Sequence, residues 1–271
     1  MKIALLSDIH LDVNSSDDQG LGRDISLDVA SFIQSLDVDR IVIAGDVAES
    51  AVNCLSYLEY IETNAKKPIS FIPGNHDVWT EGTSSWDEYN MYRNHHTSLI
   101  DLPLQLTDKY VLVGNMGWYD YTFGLPEYKV EEFITHRPKN WDVKAKFHMS
   151  DPAFANILMD QLQSQLENCR QYRVLLVTHF VPYTEFLVRK PDSPEWNWSN
   201  SFMGSRRIGE IINLYPNIEY VVFGHTHMRF GMVNTQGRKV ICKPLGYVHE
   251  WESPDLNEEL KRVTTIISLD E

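Results

Sequence analysis

Five short runs rich in Val, Ile and Leu each stop within three residues of a metal-capable side chain. Ile3-Ala4-Leu5-Leu6 leads into Ser7-Asp8-Ile9-His10, and Ile41-Val42-Ile43-Ala44 leads into Gly45-Asp46. Ile69-Ser70-Phe71-Ile72 passes through Pro73-Gly74 into Asn75-His76-Asp77. Val174-Leu175-Leu176-Val177 leads into Thr178-His179, and Tyr220-Val221-Val222-Phe223 into Gly224-His225-Thr226-His227. Apolar runs of this length, bounded by Gly, Pro or Ser, read as buried strands. Ligands in open α/β sheets gather beyond the carboxyl ends of the strands. The pattern therefore predicts a crevice ringed by Asp, Asn and His.

Helical stretches lie between the strands. Ser26 to Leu36, Ser50 to Asn64, Pro152 to Asn168 and Ser205 to Leu214 carry apolar residues at helical spacing, with Ser26 and Asp151 as expected caps. Alternation of this kind argues for a layered α/β architecture. Near the end, Arg229 to Val233 and Lys239 to Lys243 flank Asn234-Thr235-Gln236-Gly237, the pattern of a hairpin. Val263 to Ser268 reads as another strand that completes or extends a sheet. No repeat or linker is visible, so residues 1–271 are expected to form a single domain, with an aromatic-rich insertion at about 78–150. That insertion, with Trp79, Trp86, Trp118 and Trp141, suits a lid, a substrate wall or a satellite core.

The formal charge of −14 disfavours extended binding to nucleic acid. It does not exclude a small phosphorylated substrate, because local charge in a metal crevice outranks net charge. Cys54, Cys169 and Cys242 lie far apart with no paired spacing and read as free thiols, and none sits in one of the five strand-end segments, which argues against thiolate ligation. There is no run suited to a membrane span or a cleavable signal, and a cytoplasmic location is expected.

Counting donors sets the number of ions. Asp8, His10, Asp46, Asn75, His179, His225 and His227 are more than one four-coordinate ion uses. Two ions, with Asp46 suited to bridge them, fit the count. In extended backbone residues i and i+2 share a face, so Asp8 with His10, and His225 with His227, can converge on one ion or divide between two. Nitrogen and oxygen donors without sulfur suit Mn²⁺, Fe²⁺/Fe³⁺ or Zn²⁺.

Taken together and in order, Asp8-Ile9-His10, Gly45-Asp46, Gly74-Asn75-His76-Asp77, Thr178-His179 and Gly224-His225-Thr226-His227 resemble the calcineurin-like metallophosphoesterase superfamily. The resemblance implies a four-layer sandwich of two facing mixed β-sheets flanked by helices. It also implies two divalent metal ions, one held by Asp8, His10, Asp46 and His227 and the other by Asp46, Asn75, His179 and His225. His76 matches the family's catalytic histidine, and Asp77 is expected to act behind the ligands. The expected reaction is in-line attack of metal-bound hydroxide on a phosphoester.

Departures narrow the substrate. Protein Ser/Thr phosphatases of this superfamily continue Gly-Asp with a second Asp and an Arg, whereas this chain has Gly45-Asp46-Val47-Ala48-Glu49. Lipid-precursor pyrophosphatases carry Arg where this chain has His76. The pattern is closest to small bacterial phosphodiesterases, with small nucleotide-type diesters as the expected substrates and a phosphomonoesterase, or a non-catalytic metal-binding scaffold, as alternatives. Gly117 to Tyr121 and Arg206-Arg207 are further candidates to border the substrate, with structural roles open for both. The oligomeric state is not legible.

Overall fold

The computed structural model describes residues 1–137, 140–190 and 192–269. Its strands are β1 (Lys2–Leu6), β2 (Arg40–Ala44), β3 (Ile69–Ile72), β4 (Leu104–Gln105), β5 (Tyr110–Asn115), β6 (Arg173–Thr178), β7 (Ile218–Val222), β8 (Gly231–Thr235), β9 (Arg238–Cys242) and β10 (Thr265–Ser268). The α-helices are α1 (Leu11–Ser15), α2 (Ser26–Ser35), α3 (Ala51–Ala65), α4 (Ser85–Arg93), α5 (Val130–His136), α6 (Asp151–Glu167), α7 (Pro194–Ser199), α8 (Arg206–Leu214) and α9 (Leu256–Val263).

The strands form two mixed sheets flanked by helices, one in the order β10-β1-β2-β3 and the other β4-β5-β6-β7-β9-β8. Within the first, β1, β2 and β3 are parallel, with Leu6 opposite Ile43 and Ala44 opposite Ile72. Within the second, β5, β6, β7 and β9 are parallel, with Val177 opposite Val222. Parallel pairing sends every carboxyl end to the same edge of its sheet. The motif loops after β1, β2 and β3 therefore emerge side by side, and so do those after β6 and β7.

The parallel strands are apolar on both faces because both are covered, which is why they read as continuous hydrophobic runs. The sheets meet where β3 packs against β5. A β-carbon on Gly114 would lie 2.4 Å from Leu99 Cβ and 2.5 Å from Ile72 Cγ2, so only glycine fits.

Several local expectations need correction. The α2 cap position is Ile25, and Ser26 already lies inside the helix. The α6 cap is Ser150, whose hydroxyl accepts from Ala153 N–H. Asp151 is drawn away by Trp118 Nε1, the Tyr121 hydroxyl and Arg137. The hairpin turn is tighter than expected. Thr235 pairs with Arg238, leaving Gln236 and Gly237 as a two-residue turn with φ of 50° and 77°, the pattern of a primed turn. Val263 ends α9 rather than starting a strand, and β10 joins the first sheet beside β1.

Of the stretch at about 78–150, β5 is an inner strand of the second sheet, and Trp118 and Tyr119 are fully buried. Only parts of the stretch, including Trp79 and Trp141, reach the crevice described below. Cys54, Cys169 and Cys242 are free and buried. Among the described residues no helix is long and apolar enough to cross a membrane.

Candidate metal centre

The loop after β1 turns sharply through Asp8 (φ 54°) and His10 (φ 45°), that after β2 through Gly45 and Asp46 (φ 55°), and that after β7 through His225 (φ 66°) and His227 (φ 51°). All these side chains leave left-handed backbone, not the extended backbone that i, i+2 spacing assumes. The pairs still converge, but the turn brings them together and not the pleat of a strand. Asn75 and His76 differ again, since Asn75 has helical φ and ψ and His76 opens a single 3-10 turn.

Two positions explain the motif glycines. A β-carbon on Gly74 would sit 2.1 Å from Asp46 Oδ1, and one on Gly224 would sit 2.1 Å from Asp8 Oδ2. The carboxylates lie directly against neighbouring backbone, so any other residue would push them out of place.

All seven expected donors meet at the seam between the two sheets. On one side, His227 Nε2 is 3.5 Å from Asp8 Oδ1 and 3.1 Å from His10 Nε2. On the other, His179 Nε2 is 3.3 Å from Asp46 Oδ2, and both His179 Nε2 and His225 Nδ1 are 3.0 Å from Asn75 Oδ1. Asp46 Oδ2 lies between the groups, 3.8 Å from His10 Nε2. Donor sets Asp8/His10/His227 and Asp46/His179/His225 each fall within 4.8 Å, the spacing around one ion.

The outer nitrogens of the imidazoles fix which ring atom faces inward. His179 Nδ1 is 2.9 Å from the Ala44 carbonyl, His225 Nε2 is 3.1 Å from the Phe202 carbonyl, and His227 Nδ1 is 2.7 Å from Glu250 Oε2. Each outer nitrogen is held as the donor, so each inner nitrogen presents a lone pair to the oxygens facing it. Lone pairs pointed at one another across 3 Å are repulsive unless a proton or a cation lies between them. Asp8 Oδ2 is buried with no hydrogen-bond partner. Both observations fit divalent cations held by this donor set.

Without cations, the electrostatics record the same demand for positive charge. Burial pulls His179 down, but the Asp46 carboxylate outweighs it and pushes the imidazole up to about 9. Burial opposes ionisation of Asp46 too, yet the charges of His179 and His76 hold it well below the usual carboxylate range. Burial raises Asp8. Burial, reinforced by neighbouring His179, lowers His225 to about 3.

The chain matches the family model for calcineurin-like phosphoesterases over residues 1–229. It belongs to that family. Solved structures share its fold at low identity. TT1561 of Thermus thermophilus superposes with a TM-score of 0.53 at 14% identity, over 90% of this chain and 88% of that one. A dimetal phosphatase from Danio rerio gives a TM-score of 0.54 at 15% identity, over 90% and 87%. No protein of curated function matches the chain in sequence.

Around the seven donors stand residues that hold them in place. Asp77, the last residue of Gly-Asn-His-Asp, accepts four backbone N–H bonds, from Asp46 (2.7 Å), Val47 (2.9 Å), Ala48 (3.1 Å) and Gly74 (2.7 Å). It ties the second and third motif loops into one unit. Asp142 Oδ1 accepts from both Asn75 Nδ2 and Trp79 Nε1, each at 2.9 Å, so Asn75 turns its oxygen inward. Trp79 in turn packs against His76, with ring centroids 3.7 Å apart and the planes tilted by 32°.

His76 Nε2 is 3.4 Å from the Tyr247 hydroxyl and 3.9 Å from Asp46 Oδ2, and burial pulls the imidazole down to about 4. Glu250 and Asp142 are single acids in ordinary sequence, and nothing local signals their roles. The Gly-Asn-His-Asp motif announces Asp77 itself.

A crevice of about 280 Å³ opens over Asp46, Asn75, His76, His225 and His227. Its outer walls include Trp79, Trp141, Phe202, Met203 and Tyr247. The other candidates at the substrate border are engaged elsewhere. Arg207 bonds Asp160 and Asn156, Arg206 bonds Thr122, and Asp120 accepts from Ser205.

Proposed function

We propose that this chain is a dinuclear-metal-dependent hydrolase of phosphodiesters, acting on small nucleotide-type substrates. The observation that carries this reading is the convergence of carboxylate, carboxamide and imidazole donors with their lone pairs turned inward at one crevice.

Asp8, His10 and His227 would hold one divalent ion, Asn75, His179 and His225 the other, with Asp46 between them. The ions would supply Lewis acidity to a phosphoryl group and to the water that attacks it. The protein's own groups do the rest. Buried Asp8 and Asp46 confine the negative charge to the floor of the crevice and leave its mouth to the substrate. His76, packed against Trp79, aims Nε2 into the crevice, where an N–H can donate to a phosphoryl or leaving oxygen. The Tyr247 hydroxyl is placed to hydrogen-bond the same ring nitrogen. Trp141 and Tyr247 offer aromatic surface beside the reacting centre, suited to a nucleobase.

The test is hydrolysis of bis(p-nitrophenyl) phosphate and of p-nitrophenyl phosphate by Mn²⁺-loaded protein, with bound metal counted by elemental analysis. Turnover of the diester with two ions per chain is expected. Turnover of the monoester alone would make the protein a phosphomonoesterase, and two bound ions with neither activity would leave a metal-binding scaffold.

A further inference from the structure

A second, more enclosed cavity of about 90 Å³ lies beside the crevice, lined by Phe186, Val188, Trp196, Met203, Thr226 and Met228. Ser199, Met203 and Thr226 line both spaces. Thr226 is the residue between His225 and His227, so the cavity starts where the donor set ends.

The cavity wall is fixed to the donors. Phe202, whose carbonyl accepts the His225 Nε2–H, is followed directly by Met203, and the Met203 carbonyl accepts from Val181 N–H at 2.9 Å. The wall's polar groups are largely spent within the loop. Trp196 Nε1 and Asn200 Nδ2 both donate to the Val188 carbonyl, at 2.7 and 3.0 Å, and Ser199 Oγ bonds the Glu195 and Trp196 carbonyls. What remains facing the space is mainly aromatic carbon, aliphatic carbon and thioether sulfur. A polar group entering it would lose its water and find few partners, whereas an apolar group would gain by leaving water.

We propose that this cavity is a subsite for an apolar arm of the substrate, a single aromatic ring or short alkyl group carried on the phosphorus that the metal centre engages. This rests on the phosphoesterase reading and deepens it. A nucleoside arm, polar at its edges, is left to the wider crevice under Trp141, while the second organic group of the diester enters the cavity. A fused two-ring base is too large for about 90 Å³. The chemical class is therefore a mixed diester with one apolar substituent.

Phosphonates carry one organic arm that cannot be hydrolysed, and they separate the subsite from the chemistry. Dissociation constants of methylphosphonate and phenylphosphonate would be measured by calorimetry on the Mn²⁺-loaded protein, on Val188→Phe and on Met228→Phe. Phenylphosphonate should bind the wild-type protein at least about tenfold more tightly than methylphosphonate, and either filling variant should bring the ratio to within about twofold. A wild-type ratio below about two, or an undiminished ratio in folded variants, overturns the subsite. Should Val188→Phe fail to fold, Met228→Phe decides, because Met228 is 38% exposed and tolerates enlargement. Diester turnover with a flat ratio would sink the subsite alone. If neither phosphonate binds and no diester is cleaved, the metal-centre reading has failed and the subsite falls with it.

Discussion

The two sheets make unequal contributions to the crevice. The ends of the first sheet supply both carboxylates, Asp8 and Asp46, the carboxamide of Asn75, and His10 and His76, whereas the ends of the second supply only His179, His225 and His227. Their supports differ as well. On the first side, Asp77, a residue of the third motif, binds the backbone N–H groups of Asp46 and Gly74, and Asp142 orients the Asn75 side chain. On the second, each imidazole is oriented by a single acceptor from outside its own motif: Ala44, Phe202 or Glu250. One half carries the carboxylates and has its motif loops tied together through backbone. The other offers imidazoles alone, each held by one acceptor. The first half should therefore fail abruptly when cut, and the second should weaken in steps.

Asp46→Ala is the sharpest way to break this comparison. It removes the carboxylate that both donor groups share, and diesterase turnover should fall by about three orders of magnitude or more, with metal content dropping below two ions per chain. Retention of both ions would mean that the halves are independent. Next in size is Asp142→Ala, which frees the Asn75 amide and the Trp79 indole together. Mn²⁺ affinity measured by calorimetry should fall about 10- to 100-fold, and Asp142→Asn, which keeps an acceptor oxygen, should recover most of it.

Glu250→Gln tests the second half. Losing the charged partner of His227 should cost about tenfold in the affinity of one ion only, visible as one weakened step in a two-step titration. A loss as severe as that of Asp46→Ala would erase the distinction drawn between the sheets.

The smallest expected effect is one of pH on the metal-free protein. The His179 pKa of about 9 stands above its unfolded value of about 6.5, so the folded state holds the extra proton between them. The stability this provides is complete below about pH 6.5 and is lost as pH rises through about 9. Thermal unfolding of metal-stripped protein should shift downward from pH 7 to 9, and His179→Asn should flatten that slope. Metal-loaded protein should lack it, since the ring is then held neutral.

A different contrast, between donors and their supports, explains what could be read in the chain before its structure. Strand ends announce themselves because an apolar run, a small residue and a donor are adjacent in sequence, so Asp8, His10, Asp46, Asn75, His179, His225 and His227 could be named and the layered fold anticipated. Asp142, Tyr247 and Glu250 could not, because their roles depend on contacts with motif residues that tertiary folding brings close. The Asp142–Asn75 bond spans 67 positions, and the Tyr247–His76 contact spans 171. Local rules fail where tertiary contacts override them. Asp151 is the natural helix cap by type, but the indole, phenol and guanidinium around it claim its oxygens, and Ser150 takes the position. The donor pairs converge as strand spacing predicts, but through left-handed turns and not through a pleat.

That backbone carries a consequence for how such a protein can change. Asp8, His10, Asp46, His225 and His227 occupy the left-handed region, where a residue bearing a β-carbon is disfavoured by about 1–2 kcal/mol. Glycine at any of them would relax the chain and discard a donor in the same step. Selection for robustness alone would therefore erode the crevice first, and these five side chains persist against a standing thermodynamic pull toward their own removal.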